Sequence, residues 1–184
     1  MKKLSVIIGI LALLASCQPQ GGIVFNEITG KDADGDEWIE VGNNSATDIN
    51  VADYKIVKYD KDGIDKTIYT FPDTIIKAGA VFVINESDLR LKGKKNGIPY
   101  KKAVSLELLD ANGNVLDAFD SKENLSLKGH PVGSSYARIP NLTGEWTLCG
   151  TPTFDAPNVN NAAVEAQPEH EASEFDEEED ELGE

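Results

Sequence analysis

The chain has 184 residues, with 32 Asp plus Glu against 17 Lys plus Arg, a formal net charge of −15 and two cysteines. That length favours one domain, the charge disfavours nucleic acid and anionic membrane as ligands, and two cysteines exclude a disulfide-rich scaffold or a zinc-finger array. The charge is uneven: residues 165–184 hold eleven acids and no Lys or Arg, so residues 18–164, with 21 acids and 15 bases, are only mildly acidic.

Met1-Lys2-Lys3 is a short positive stretch, and an apolar run from Leu4 to Ala15 follows it. The run is too short to span a bilayer as a helix, which needs about 20 residues, and it fits the central region of a secretory signal. It ends Leu14-Ala15-Ser16-Cys17, which resembles the lipobox of bacterial lipoproteins. The resemblance implies cleavage of residues 1–16 and attachment of a diacylglycerol, with palmitate-type chains, to Cys17. Two or more acyl chains anchor a protein stably where one does not. Gln18 follows Cys17 where an inner-membrane retention signal would have Asp, so the outer membrane is expected. No acidic run follows the Cys directly, unlike many surface-exported lipoproteins, so the periplasmic face is expected. The four residues Gln18-Pro19-Gln20-Gly21 link Cys17 to the domain and span at most about 14 Å.

From residue 22 the pattern has period two. Strands are expected at 23–28, 37–41, 54–59, 67–71, 80–84, 104–109, 115–119 and 133–139. Lys77-Ala78-Gly79 reads as a turn into a buried strand, since 80–84 is continuously apolar. Asn112-Gly113 between two apolar runs predicts a hairpin with a type I′ turn. No window carries a long stripe at helical spacing. Many short strands separated by Gly, Asn and Asp turns indicate a β-sandwich or barrel.

The pieces also stand in a familiar order. They are Asn26-Glu27-Ile28, Glu37-Trp38-Ile39-Glu40, Asn43-Asn44-Ser45, Val51-Ala52-Asp53-Tyr54-Lys55-Ile56 and Phe71-Pro72. Ile76-Lys77-Ala78-Gly79, Leu109-Asp110-Ala111-Asn112-Gly113, Ser135-Tyr136-Ala137-Arg138-Ile139-Pro140, Trp146 and Thr151-Pro152-Thr153-Phe154-Asp155-Ala156-Pro157-Asn158 complete them. Residues 22–158 resemble the lamin-tail domain family. The resemblance implies an all-β, immunoglobulin-like sandwich that serves for interaction and not for catalysis. Asp53 stands where the family usually has Gly, which puts that tight turn in question.

Five features are candidate sites. Asp32, Asp34 and Asp36 alternate in an acidic loop as calcium ligands do, but Gly35 and Asn43 stand at loop positions 4 and 12, where an EF-hand needs Gly at 6 and Glu at 12. A solvated loop turning at Asp34-Gly35 is the plainer reading; calcium is the one cofactor the sequence admits. Asp60-Lys61-Asp62 is a poorer acidic cluster, diluted by Lys61 and Lys66. Arg90, Lys92, Lys94, Lys95, Lys101 and Lys102 form a basic loop without an acid, suited to phosphates of lipid, lipopolysaccharide or nucleic acid, to simple solvation, or to screening by the acidic tail. Tyr100 alone gives no base-stacking platform. Trp38 and Trp146 read as packing residues in strand-like contexts. Cys149, with no cationic neighbours, reads as a small buried residue. Catalysis finds no support: His130 lies in a turn near Ser134 and Ser135, His170 lies in the tail, and no nucleophile elbow, zinc-protease helix or phosphate loop is present.

The expected mature protein is therefore a lipid-anchored domain over 22–158 with an acidic, disordered tail over 159–184. It would be a non-catalytic binding or adaptor module of the cell envelope, meeting a protein or glycan partner and its membrane through the lipid. The alternatives are a structural envelope component without a discrete ligand and a calcium-stabilised surface adhesion module.

Overall fold

A computed structural model describes residues 21–60, 62–63, 65–89 and 97–161. The expected signal peptide, Cys17, the loop cations Arg90, Lys92, Lys94 and Lys95, and residues 162–184 of the tail lie outside the described residues.

In chain order the elements are β1 (Ile23–Thr29), β2 (Trp38–Asn43), β3 (Ile49–Asn50), β4 (Lys55–Tyr59), β5 (Asp65–Thr70), β6 (Ile75–Ile76), β7 (Val81–Ile84), α1 (Glu86–Leu89), β8 (Ser105–Leu109), β9 (Val115–Asp120), α2 (Ser121–Leu125), β10 (Ser135–Ile139) and β11 (Glu145–Cys149). One sheet runs β11-β10-β1-β2-β7, the other β5-β4-β8-β9, and β3 pairs with β6 alone. Every pairing is antiparallel. The result is an immunoglobulin-like β-sandwich. Phe25, Ile28, Ile39, Val41 and Tyr136 of the first sheet meet Ile56, Ile68, Leu106, Leu108 and Phe119 of the second in one buried cluster. The Phe119 ring bridges the sheets, 5.1 Å from Tyr136 and 4.4 Å from Trp146.

Each predicted strand has its counterpart within two residues at either end. Two local expectations change. Asn112-Gly113 does sit in the β8–β9 hairpin, but of the two only Gly113 has positive φ, at 85°. The Asp110 carboxylate accepts the Asn112 and Asn114 amides at 2.8 Å each, and the β8–β9 register slips at Leu109. A side-chain-capped turn closing on one left-handed glycine replaces the type I′ turn, which needs two. The 80–84 run is not a central strand: β7 is an edge, and Val81, Phe82 and Val83 are only half-buried. Its apolar residues rest on their neighbours from one side. The short helix α2, capped by Asp120 accepting the Lys122 and Glu123 amides, was hidden in the sequence because five residues carry no period.

The most consequential irregularity is in β1. The β1–β2 register shifts between Phe25 and Glu27, so Asn26 is the extra residue of a bulge. Strict alternation from Ile23 through Phe25 would send Glu27 into the core. The bulge instead puts Phe25 and Ile28 in the core and turns Asn26 and Glu27 to the outer face.

Candidate functional site

On that outer face lies a buried polar cluster. Glu27 is directly opposite Glu40, and both are fully buried. Like charges placed so repel, and burial disfavours each charged form. Burial raises the Glu27 carboxyl above its usual range, partly offset by donation from Ser135 and Thr153. Glu40 is pushed up to about 7, chiefly by burial, against the pull of Asn26. Glu27 accepts from the Ser135 hydroxyl at 2.5 Å, the Thr153 hydroxyl at 2.6 Å and the Thr153 amide at 3.1 Å. Glu40 Oε1 accepts from Asn26 Nδ2 at 2.5 Å, whereas Oε2 is buried without a hydrogen-bond partner.

The lid over this pair is the segment after β11. Asn158 Nδ2 donates to the Asn26 and Arg138 carbonyls at 2.9 and 3.1 Å, and its amide donates to Asn141 Oδ1 at 2.9 Å. Phe154 closes edge-on against Trp38, centroids 5.3 Å apart. Asn26 and Glu27 of β1, Glu40 of β2, and Thr153 and Asn158 beyond β11 thus form one latch. Its hydrogen bonds run among its own side chains and the neighbouring backbone.

A second strap joins the sheets. Arg138 of β10 donates to both carboxylate oxygens of Asp117 of β9 at 3.0 Å, and to the Phe25 carbonyl at 2.8 Å. Asp117 in turn accepts the Phe25 amide at 2.8 Å. The guanidinium lies 4.7 Å from the Trp146 ring centroid, so the planar fork and the aromatic face hold it together.

The acidic loop is held from within. Asp32 Oδ1 accepts the Asp34 and Asp36 amides at 3.0 and 2.9 Å, and Oδ2 accepts Trp38 Nε1 at 3.2 Å. Asp34 and Asp36 are exposed. Among the described residues no three His, Cys, Asp or Glu are grouped to hold a metal ion.

The basic residues gather elsewhere. Lys101 and Lys102 lie in a cleft of about 640 Å³ with Lys58 from the end of β4, Lys122 of α2 and Lys128 beyond it, against Asp60 and Asp120. Lys58 is spent on structure: its ammonium donates to the Gly97 carbonyl at 2.7 Å, and burial lowers its pKa. Lys101, Lys102, Lys122 and Lys128 are exposed. The cleft wall is pinned by His130. Its Nε2 accepts the Gly30 amide at 2.8 Å, its Nδ1 meets the Pro131 carbonyl at 2.8 Å, and its own amide donates to the Tyr100 carbonyl at 2.7 Å. Burial lowers its pKa, so the neutral imidazole is the structural form. Gly30 permits this approach, since a Cβ there would stand 2.5 Å from the Ile98 carbonyl oxygen. His130 reaches the Ser134 hydroxyl at 3.2 Å, but that hydroxyl donates to the Pro131 carbonyl at 2.7 Å.

Of the sequence candidates, then, Lys101 and Lys102 are brought together with three lysines that the sequence scatters over seventy residues. Lys58, Lys122 and Lys128 stand alone in the chain, and no spacing signals their meeting. The latch residues were visible as motif fragments, but a contact between residue 27 and residue 153 has no local signature. Cys149 is buried, 4.0 Å from the Val159 carbonyl, with its pKa raised by burial.

The family model described as Lamin Tail Domain matches residues 17–123, which takes in β1 through β9 and the start of α2. No curated protein matches the chain.

Proposed function

The chain belongs to the lamin tail domain family, and from that premise we propose that it is a non-catalytic, lipid-anchored binding module of the bacterial cell envelope. Cys17 is the lipid attachment point in this reading, and the outer membrane the site of anchorage, with the domain on its periplasmic face. The partner is a protein or glycan bearing negative charge, met through the lysine cleft.

The observation that carries the reading is the contrast between the two polar regions. The polar groups of the latch, Glu40 Oε2 excepted, are committed to one another, which suits architecture. The cleft instead presents exposed Lys101, Lys102 and Lys122 on one surface, which suits an anionic ligand. Lysines act there as mobile point charges, so recognition rests on charge density more than on planar geometry. Fold likeness alone would not assign a function; the lysine cleft is the feature that supports the reading.

The test is crosslinking of the intact chain in its own cells, followed by recovery and identification of what is joined to it. A specific envelope protein or glycan is expected, and Lys101→Glu with Lys102→Glu should abolish its recovery. Recovery unchanged in that double variant would remove the cleft from the reading. Replacement of Cys17 by Ser should release the chain from the membrane fraction; retention would remove the anchor.

A further inference from the structure

The last described residue bears on what fills the cleft. Asn161 is tied back to the domain, its Nδ2 donating to the Thr151 carbonyl at 2.6 Å. Thr151 stands two residues beyond Cys149, which pairs with Ser135 at the start of β10. Ser134, one residue before, meets the His130 imidazole, and the His130 amide holds the Tyr100 carbonyl beside Lys101. A short relay of contacts therefore joins the exit of the chain to the cleft wall, and both lie at the same end of the sandwich. Beyond Asn161 come residues 162–184, which carry eleven acids and no Lys or Arg. A stretch of that length reaches up to about 75 Å, so the cleft is well within range.

We propose that residues 162–184 are the resident occupant of the lysine cleft, an acidic segment docked in cis that an envelope ligand must displace. The inference rests on the binding-module reading only for the ligand; the contact itself stands on charge and position. Tethering makes the encounter intramolecular, with an effective concentration in the millimolar range for short flexible connections. The two charge sets are complementary: the lysines cluster on the domain, and the acids lie in the segment leaving from the same end. Exposed charge pairs of this kind are individually weak, which makes such an occupant displaceable. A denser polyanion would compete, while a neutral ligand would not.

The test uses the full chain in detergent and a zero-length carbodiimide, which joins a lysine to a carboxylate only in contact. Peptide mapping is expected to find residues 165–184 joined to Lys101, Lys102 or Lys122, in preference to the exposed Lys55 and Lys77. These links should disappear near 1 M salt, where the Debye length is about 3 Å. Links spread evenly over all lysines, or none to the cleft, would overturn the proposal. A mixture of isotopically heavy and light chains separates the geometries: heavy-to-light links would overturn docking in cis. A second arm neutralises the segment with Glu177→Gln, Glu178→Gln, Glu179→Gln and Asp180→Asn. Greater capture of the envelope partner by this variant is expected, and equal capture would overturn the displacement. If cleft links form but neither chain captures a partner, the binding-module reading fails while the docked segment stands. If capture depends on Lys101 and Lys102 but no cleft links form, the reverse holds.

Discussion

Glu40 couples the stability of the fold to pH. Its carboxyl titrates near 7 in the fold against about 4.5 in an unfolded chain. The folded protein therefore binds a proton more tightly across that window, and the stability of the fold falls as pH rises through it. Below about 4.5 both states are protonated at this residue and it imposes no penalty. Above 7 the penalty is complete, at about 3 kcal/mol by the usual conversion of pKa difference to free energy. Glu40→Gln should stabilise the protein at pH 8, most of the gain vanishing by pH 5, as read by denaturant unfolding at both values. A variant no more stable at pH 8 than the parent would mean that Glu40 is not buried as described. Asp53 is the opposite case. It stands at φ 62°, so it adopts the left-handed conformation of the glycine usual in the family, and its turn keeps the hydrogen bond from the Tyr54 amide to the Val51 carbonyl at 3.0 Å. An L-residue there costs about 1 kcal/mol, so Asp53→Gly should raise stability by that order, measured by thermal unfolding.

At the scale of elements, two devices close the sandwich. The Arg138–Asp117 strap crosses from β10 to β9, with both side chains mostly buried, at 18 and 15% exposure. Breaking a buried pair leaves one charge uncompensated, a loss of about 3 kcal/mol, so Arg138→Ala should lower stability by that order. Arg138→Lys should recover only part, because an ammonium cannot supply the same fork. The latch makes a different prediction. Asn158→Ala removes two donors to backbone carbonyls, a destabilisation of about 2 kcal/mol. Its effect should concentrate in residues 151–161, where amide hydrogen exchange should speed up more than in β4 or β8. Uniform acceleration would mean that the segment is part of the core cooperative unit and not a separate latch. The elements themselves were largely legible. Alternation at 37–41 and 104–109 needs only local sequence, because successive side chains of a strand point to opposite faces. The bulge at Asn26 was not legible, since only the register against β2 reveals which residue is extra. The hairpin at Asn112-Gly113 was legible as a hairpin but not as a turn type, because the Asp110 carboxylate and not the Asn-Gly dipeptide sets its backbone.

At the scale of the whole molecule, charge is partitioned between the domain and residues 162–184. If the cleft is the binding surface, capture of an anionic partner should weaken steeply with salt, since the contacts are made by exposed lysines. Lys101→Glu with Lys102→Glu should flatten that salt dependence as well as reduce capture, and thermal unfolding should stay close to the parent because both side chains are exposed. A large fall in melting temperature would instead assign these lysines to the fold. Calcium addition is expected to leave the melting curve in place, because Asp32 spends both oxygens on its own loop and on Trp38. A rise that disappears in Asp34→Ala would restore the acidic loop as a site.

By itself the sequence determined the all-β character, the approximate strand positions and the family resemblance. It also supplied the expectation of lipid attachment at Cys17 and the concentration of acid after residue 164. All of these depend on composition or on residues close together in the chain, where periodicity and motif order carry the information. Only the tertiary structure decided that Glu27 faces Glu40, that residues 151–158 cover the pair, and that Arg138 reaches Asp117. It also decided that Lys58, Lys122 and Lys128 join Lys101 and Lys102 in one cleft. Those facts depend on strand register and on which loops share an end of the sandwich. A bulge that slips the register by one residue reverses the face of everything after it, and no local pattern specifies which distant strand will stand opposite.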